Sequence, residues 1–94
     1  MKVVITMDKF ELLQKTAEVI KERGENYGSI VDNHTRIAKM WSVILDKYVT
    51  TEQVALCMVA VKVARLIETP DHDDSWQDIL GYALVGYECA DAKK

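Results

Sequence analysis

A chain of 94 residues holds one small domain with a single modest core, not two. Hydrophobic residues at 49%, charged residues at 29%, one proline and four glycines are the balance of a folded protein rather than a disordered or fibrous one. A net charge of −3 gives no long-range attraction to phosphate backbones or anionic membranes. Neither polymeric nucleic acid nor a membrane is therefore expected as a partner, and a bound anion has to be held by a local cluster of positive charge.

The opening residues, MKVVIT, contain only a three-residue apolar run, so no signal segment is expected, and no apolar stretch approaches the ~20 residues of a bilayer span. Cys57 and Cys89 fall within apolar helical patterns rather than at metal-ligand spacing. They read as core thiols of a protein in a reducing cytoplasm.

Asp8 with Glu11 three residues later is a capping signal, and Phe10, Leu13, Ala17 and Ile20 then recur at helical spacing. The pattern stops at Arg23-Gly24, so the first helix is expected over about 9–23, with GENYGS as the following loop. Ser29 or Asp32 can cap a second helix over about 30–47 that buries Ile37, Trp41, Ile44 and Tyr48. Thr50 and Gln53 stand at capping-box spacing before a third, over about 52–67. Its apolar residues (Val54, Leu56, Cys57, Val59, Val61, Val63, Leu66) cover every side, as in a helix surrounded by other helices or by a second subunit. Pro70 breaks the chain, and Ser75 with Asp78 reads as the cap pair of a fourth helix over about 75–90, backed by Asp73 and Asp74 at the positive end of its dipole. Gly81 and Gly86 inside it each cost about 1 kcal/mol in helix propensity, so close helix approach or room for a ligand is expected there. The expected architecture is an all-α four-helix bundle completed by homo-oligomerisation.

Lys62 and Arg65, three apart on the third helix, lie about 60° apart around its axis and can converge on one point. Buried without partners they would cost several kcal/mol each, roughly, so carboxylates or a bound anion must neutralise them. Two readings stay open. In one, an Arg65 to Asp78 ion pair is a packing device. In the other, the cations hold phosphate oxygens while Asp74 and Asp78, one turn apart, hold Mg²⁺, with Tyr82 completing the row. DHDD, Asp71 to Asp74, reads as a solvated loop and helix cap, and His34, on the stripe of Trp41, as a satisfied interior residue. Arg23, Tyr27 and Asn33 flank the first turn, where they serve turn chemistry or read a base or sugar; periodicity alone favours the turn. No phosphate-binding loop, nucleophile elbow, zinc pattern or dinucleotide fingerprint is present.

RGENYG (Arg23 to Gly28), NHTRIAKMW (Asn33 to Trp41), VALCM (Val54 to Met58), KVAR (Lys62 to Arg65) and DSWQDILGY (Asp74 to Tyr82) occur in an order that resembles a family of short, largely uncharacterised domains common in phages and prophages. That family in turn resembles a remote branch of the all-α nucleoside triphosphate pyrophosphohydrolases, the MazG-like group, whose members cut NTPs or dNTPs between the α and β phosphates with Mg²⁺. The group's E-x-x-E and E-x-x-D pairs hold its metal ions. Here Lys62 and Arg65 take the place of the first pair; Asp78 matches the final Asp, Ser75 stands where Glu belongs, and Asp74 is one residue off.

The resemblance implies a phosphorylated small molecule, a nucleotide, as partner, and the host-cell cytoplasm as location. Two functions follow from it. In the first, Asp74 and Asp78 hold Mg²⁺, Lys62 and Arg65 stabilise phosphates, and Tyr27, Asn33 or Trp41 holds the nucleoside. In the second, the altered acids mark a binder that sequesters a nucleotide without cutting it. A third reading is a helical module that acts through a protein partner, its charges forming an internal ion-pair network.

Overall fold

The structure is a computed structural model and describes residues 7–93, apart from the side chain of Tyr27. Four helices follow one another: α1 (Lys9–Tyr27), α2 (Ile30–Leu45), α3 (Thr51–Glu68) and α4 (Asp73–Asp91). No strand occurs among the described residues, and the all-α bundle is as expected.

Local chemistry places most of the ends. The Asp8 carboxylate accepts from the Phe10 and Glu11 amides at 2.9 and 2.8 Å, satisfying two donors that the first turn leaves without partners. Ser29 caps α2 through the Asp32 amide, and Thr50 with Gln53 closes a full capping box on α3. Three boundaries depart from expectation. First, α1 runs through Gly24, around which a Cβ would meet nothing, so the glycine costs only propensity there. The helix ends at Gly28 instead, where φ is +79°. Gly24 to Tyr27 are therefore helix, not loop. Second, α2 ends at Leu45 because Asp46 turns left-handed at φ +51° and sends its amide back to Ser42 and Val43. Third, α4 is capped by His72, not by the Ser75 and Asp78 pair: the Ser75 amide donates to His72 Nδ1 at 3.2 Å.

α3 and α4 form the central antiparallel pair, with α2 packed chiefly on α3 and α1 on α4. Their register is fixed at three levels: Glu52 pairs with Lys93 at 2.7 Å, Gly86 abuts Ala55, and Lys62 pairs with Asp78 at 3.1 Å. A Cβ on Gly86 would stand 3.3 Å from that of Ala55, so this glycine permits close approach.

The core is thin. Its buried members are Ala38, Val54, Ala55, Leu66, Val85 and Cys89, joined by Thr16, His34, Thr51 and Ser75. Among the described residues no side chain larger than valine is completely enclosed. Several expected core positions are open: Phe10, Leu13 and Ala17 on α1 and Ile44 and Tyr48 around the end of α2 are exposed, as is the Cys57 thiol. On α1 the inward side is instead Thr16, flanked by Leu12, Val19 and Ile20, one residue round from the stripe that apolarity alone selects. The Thr16 hydroxyl is satisfied within its own helix, donating to the Leu12 carbonyl at 2.7 Å.

Among the described residues no helix is long and apolar enough to cross a membrane.

Candidate functional site

A cavity of about 600 Å³ opens where all four helices meet, within the range typical of small-molecule sites. Its walls are mostly apolar: Val19 and Ile20 from α1, Ile30 and Ile37 from α2, Val54 and Met58 from α3, Val85 from α4. Against that lining stand two aromatic groups, Trp41 and Tyr82, two carboxamides, Asn33 and Gln77, and the charged side chains of Arg23 and Asp78. Gly81 also faces it. A Cβ there would meet nothing within 4 Å, so its missing side chain leaves open volume rather than a tight contact.

His34 is 7% exposed and lies on the cavity wall. Its Nδ1 is 3.1 Å from the Ile30 carbonyl. A carbonyl only accepts, so Nδ1 carries the proton, and in the neutral ring Nε2 remains an acceptor. The expectation of a satisfied interior histidine holds, and its position on the wall adds a group able to read a donor on a ligand.

The structure gathers five of the expected site residues, Arg23, Asn33, Trp41, Asp78 and Tyr82, around this single cavity. They come from three helices and are up to 59 positions apart in sequence. Lys62 joins them through its 3.1 Å ion pair with Asp78; its side chain is 23% exposed and that of Asp78 40%. The Arg65 to Asp78 ion pair, one of the two open readings, does not form; Asp78 pairs with Lys62 instead. Arg65 is exposed and does not line the cavity. It sits seven residues beyond Met58, the last α3 residue on the wall, which is about 10 Å along the axis. Asp74 likewise points to solvent, in the first turn of α4, where it complements the helix dipole. The side chain of Tyr27 lies outside the described residues. Gln77, which the sequence does not single out, precedes Asp78 and lines the cavity.

These donors do not fit a resident Mg²⁺. The ion takes close to octahedral oxygen coordination, usually with one or two carboxylates. Here the Asp78 carboxylate is engaged by an ammonium, and Asp74 is exposed and does not line the cavity. Among the described residues no three His, Cys, Asp or Glu side chains converge on one point.

The model of the domain of unknown function DUF6378 matches residues 11–90. The chain belongs to that family. The match spans every wall of the cavity, from Thr16 to Val85. This DUF6378 chain is 38% identical over 76 residues to the "Gene 55 protein" of Mycobacterium phage L5, covering 79% of the chain and 49% of the relative. It is 40% identical over 62 residues to the "Gene 55 protein" of Mycobacterium phage D29, covering 66% of the chain and 41% of the relative. The chain thus spans half or less of the length of these curated phage proteins. No solved structure matches the DUF6378 chain.

Proposed function

We propose that this DUF6378 domain binds a nucleotide in the four-helix cavity and holds it without hydrolysis. What carries the reading is the convergence of Trp41, Tyr82, Asn33 and Gln77 on one apolar cavity, with Lys62 and Arg23 at its charged margin. An aromatic face stacks on a base, and a carboxamide offers both a donor and an acceptor to a base edge. The Lys62 ammonium has three donors; Asp78 engages one and steers the group, leaving others for a phosphate oxygen. The Asp78 carboxylate, an acceptor only, suits a ribose hydroxyl or a base amino group.

Binding is favoured over pyrophosphohydrolysis by the donor set. Phosphoryl cleavage of that kind depends on metal-polarised oxygens, and among the described residues no group of His, Cys, Asp or Glu assembles to hold a metal ion. One observation favours the enzyme: Asp78, the acidic residue that matches the hydrolase pattern, does face the cavity.

Equilibrium dialysis of the purified protein against a panel of NTPs, dNTPs and cyclic nucleotides, with and without Mg²⁺, tests the proposal. The expected result is retention of one class, recovered intact after denaturation. Recovery as monophosphate plus pyrophosphate would establish the hydrolase instead, and neither retention nor cleavage of any nucleotide would end both.

A further inference from the structure

The side of the α3–α4 pair facing away from the cavity is bare and apolar. On α3, Leu56, Ala60, Val63 and Ile67 follow at intervals of four, three and four; all are exposed, Leu56 at 66% and Ile67 at 81%. On α4, Trp76, Leu80, Ala83 and Tyr87 repeat the same intervals, with Tyr87 at 70% exposure and Leu80 half-buried. This spacing is that of a helix seam which packs against another helix.

Nine residues make two and a half turns, so positions nine apart point in opposite directions. Val63 is thus opposite the cavity residue Val54, Ile67 opposite Met58, Trp76 opposite Val85, and Tyr87 opposite Asp78. The charges follow the same division. Arg65 lies opposite Leu56, Asp74 opposite Ala83 and Glu88 opposite Ile79, and Lys62 turns toward Asp78. From Leu56 to Ile67 on α3 and from Trp76 to Tyr87 on α4 the seam positions are uncharged; the Glu52–Lys93 pair bounds them at one end, and Asp73 and the Pro70 turn at the other, where the Trp76 indole donates to the Pro70 carbonyl.

We infer that this face is the interface of a symmetric homodimer, two α3–α4 pairs packed back to back with both cavities opening outward. An uncharged face meets its own copy without like-charge repulsion, as a two-fold interface requires. Its size also fits: Leu56, Val63, Ile67, Trp76 and Tyr87 together expose on the order of 600 Å² per copy, so about 1,200 Å² in a pair, the size at which specific interfaces begin. The alternation of alanine with larger residues lets the helices approach closely, and the pairing would supply the enclosed apolar layer that the thin core of one chain lacks.

The test is sedimentation of the purified chain at micromolar concentration, beside Leu56→Glu, Ile67→Glu and, off this face on α2, Val43→Glu. The expected result is a mass twice the 10.7 kDa of one chain for the unsubstituted protein and for Val43→Glu, and single-chain mass with retained helical circular dichroism for the other two. Should those variants unfold, the unsubstituted protein decides: a dimer melts higher as concentration rises, and a melting temperature constant over a hundredfold range overturns the inference. So does a single-chain mass for the unsubstituted protein, or dissociation by Val43→Glu alone. The inference does not rest on nucleotide binding, because the face lies opposite the cavity.

Discussion

The Lys62 ammonium and the Asp78 carboxylate meet at 3.1 Å, joining α3 to α4 at the edge of the cavity. Half-solvated pairs of this kind add little stability, about 1 kcal/mol or less, so under the proposed function the contact is read in ligand affinity rather than in stability. Lys62→Met removes the cation and leaves Asp78 facing an incoming phosphate. Nucleotide affinity should fall tenfold or more, while the melting temperature moves by only a few degrees. Asp78→Asn keeps an acceptor oxygen beside Lys62 and should weaken nucleotide retention only severalfold, whereas a hydrolase would lose its turnover with the same change. Equilibrium dialysis and product chromatography on both variants separate the two.

The two glycines of α4 should respond in opposite ways. At Gly81 nothing lies within 4 Å of an added Cβ, so Gly81→Ala gains helix propensity and should stabilise by roughly 0.5–1 kcal/mol. At Gly86 the 3.3 Å approach to Ala55 means that a larger side chain must push the packed helices α3 and α4 apart, and Gly86→Val should destabilise by about 1–3 kcal/mol. Chemical denaturation of the two variants checks both signs. Gly81→Phe should also fill the cavity and abolish nucleotide retention.

His72 caps α4 by accepting the Ser75 amide, and its Nδ1 is also 2.9 Å from the Ser75 hydroxyl. His72→Ala removes the cap and should cost about 1 kcal/mol, or several degrees of melting temperature in a chain of this size. His72→Asn should restore most of it, since asparagine is a favoured cap. Thermal denaturation followed by circular dichroism reads both changes.

Contact with Lys93, and then with the Thr51 hydroxyl, holds the Glu52 carboxyl below its ordinary value. A carboxylate with a depressed folded-state pKa contributes stability that is complete above the unfolded value, about 4.3, and is lost as pH falls through the folded one. The difference in stability between the unsubstituted protein and Glu52→Gln should therefore be constant from pH 5 to neutrality and shrink in more acidic solution. Denaturant titrations over that pH range measure it.

Where recognition is local, the sequence predicts the fold well. Thr50 and Gln53 are three residues apart, and their capping box forms as their chemistry suggests. Ser75 and Asp78 show the same spacing but do not cap, because His72, three residues before Ser75, accepts the Ser75 amide and starts the helix two residues sooner than expected, which leaves Ser75 and Asp78 inside it. Gly24 illustrates a second limit: a glycine in open surroundings does not stop a helix, while Gly28 does so through a positive φ that composition cannot display.

The candidate site was legible by residue type rather than by direction. Arg23, Asn33, Trp41, Asp78 and Tyr82 were each singled out separately, and the fold brings them together. Lys62 and Arg65 looked equivalent on one helix face, yet only Lys62 is level with Asp78 on the antiparallel neighbour. Axial register between helices decides such a case, and no pattern within a single helix contains it. Similarly, Phe10, Leu13, Ile44 and Tyr48 satisfy the periodicity of a core without being covered by this chain.

Whether the cavity is a nucleotide site is decided by equilibrium dialysis of the unsubstituted protein and Lys62→Met against the nucleotide panel, followed by chromatography of what each retains. The expected result is that the unsubstituted protein retains one nucleotide class intact and that Lys62→Met, still helical, loses it. Equal retention by both proteins, or none by either, would contradict the assignment of the cavity as a nucleotide site.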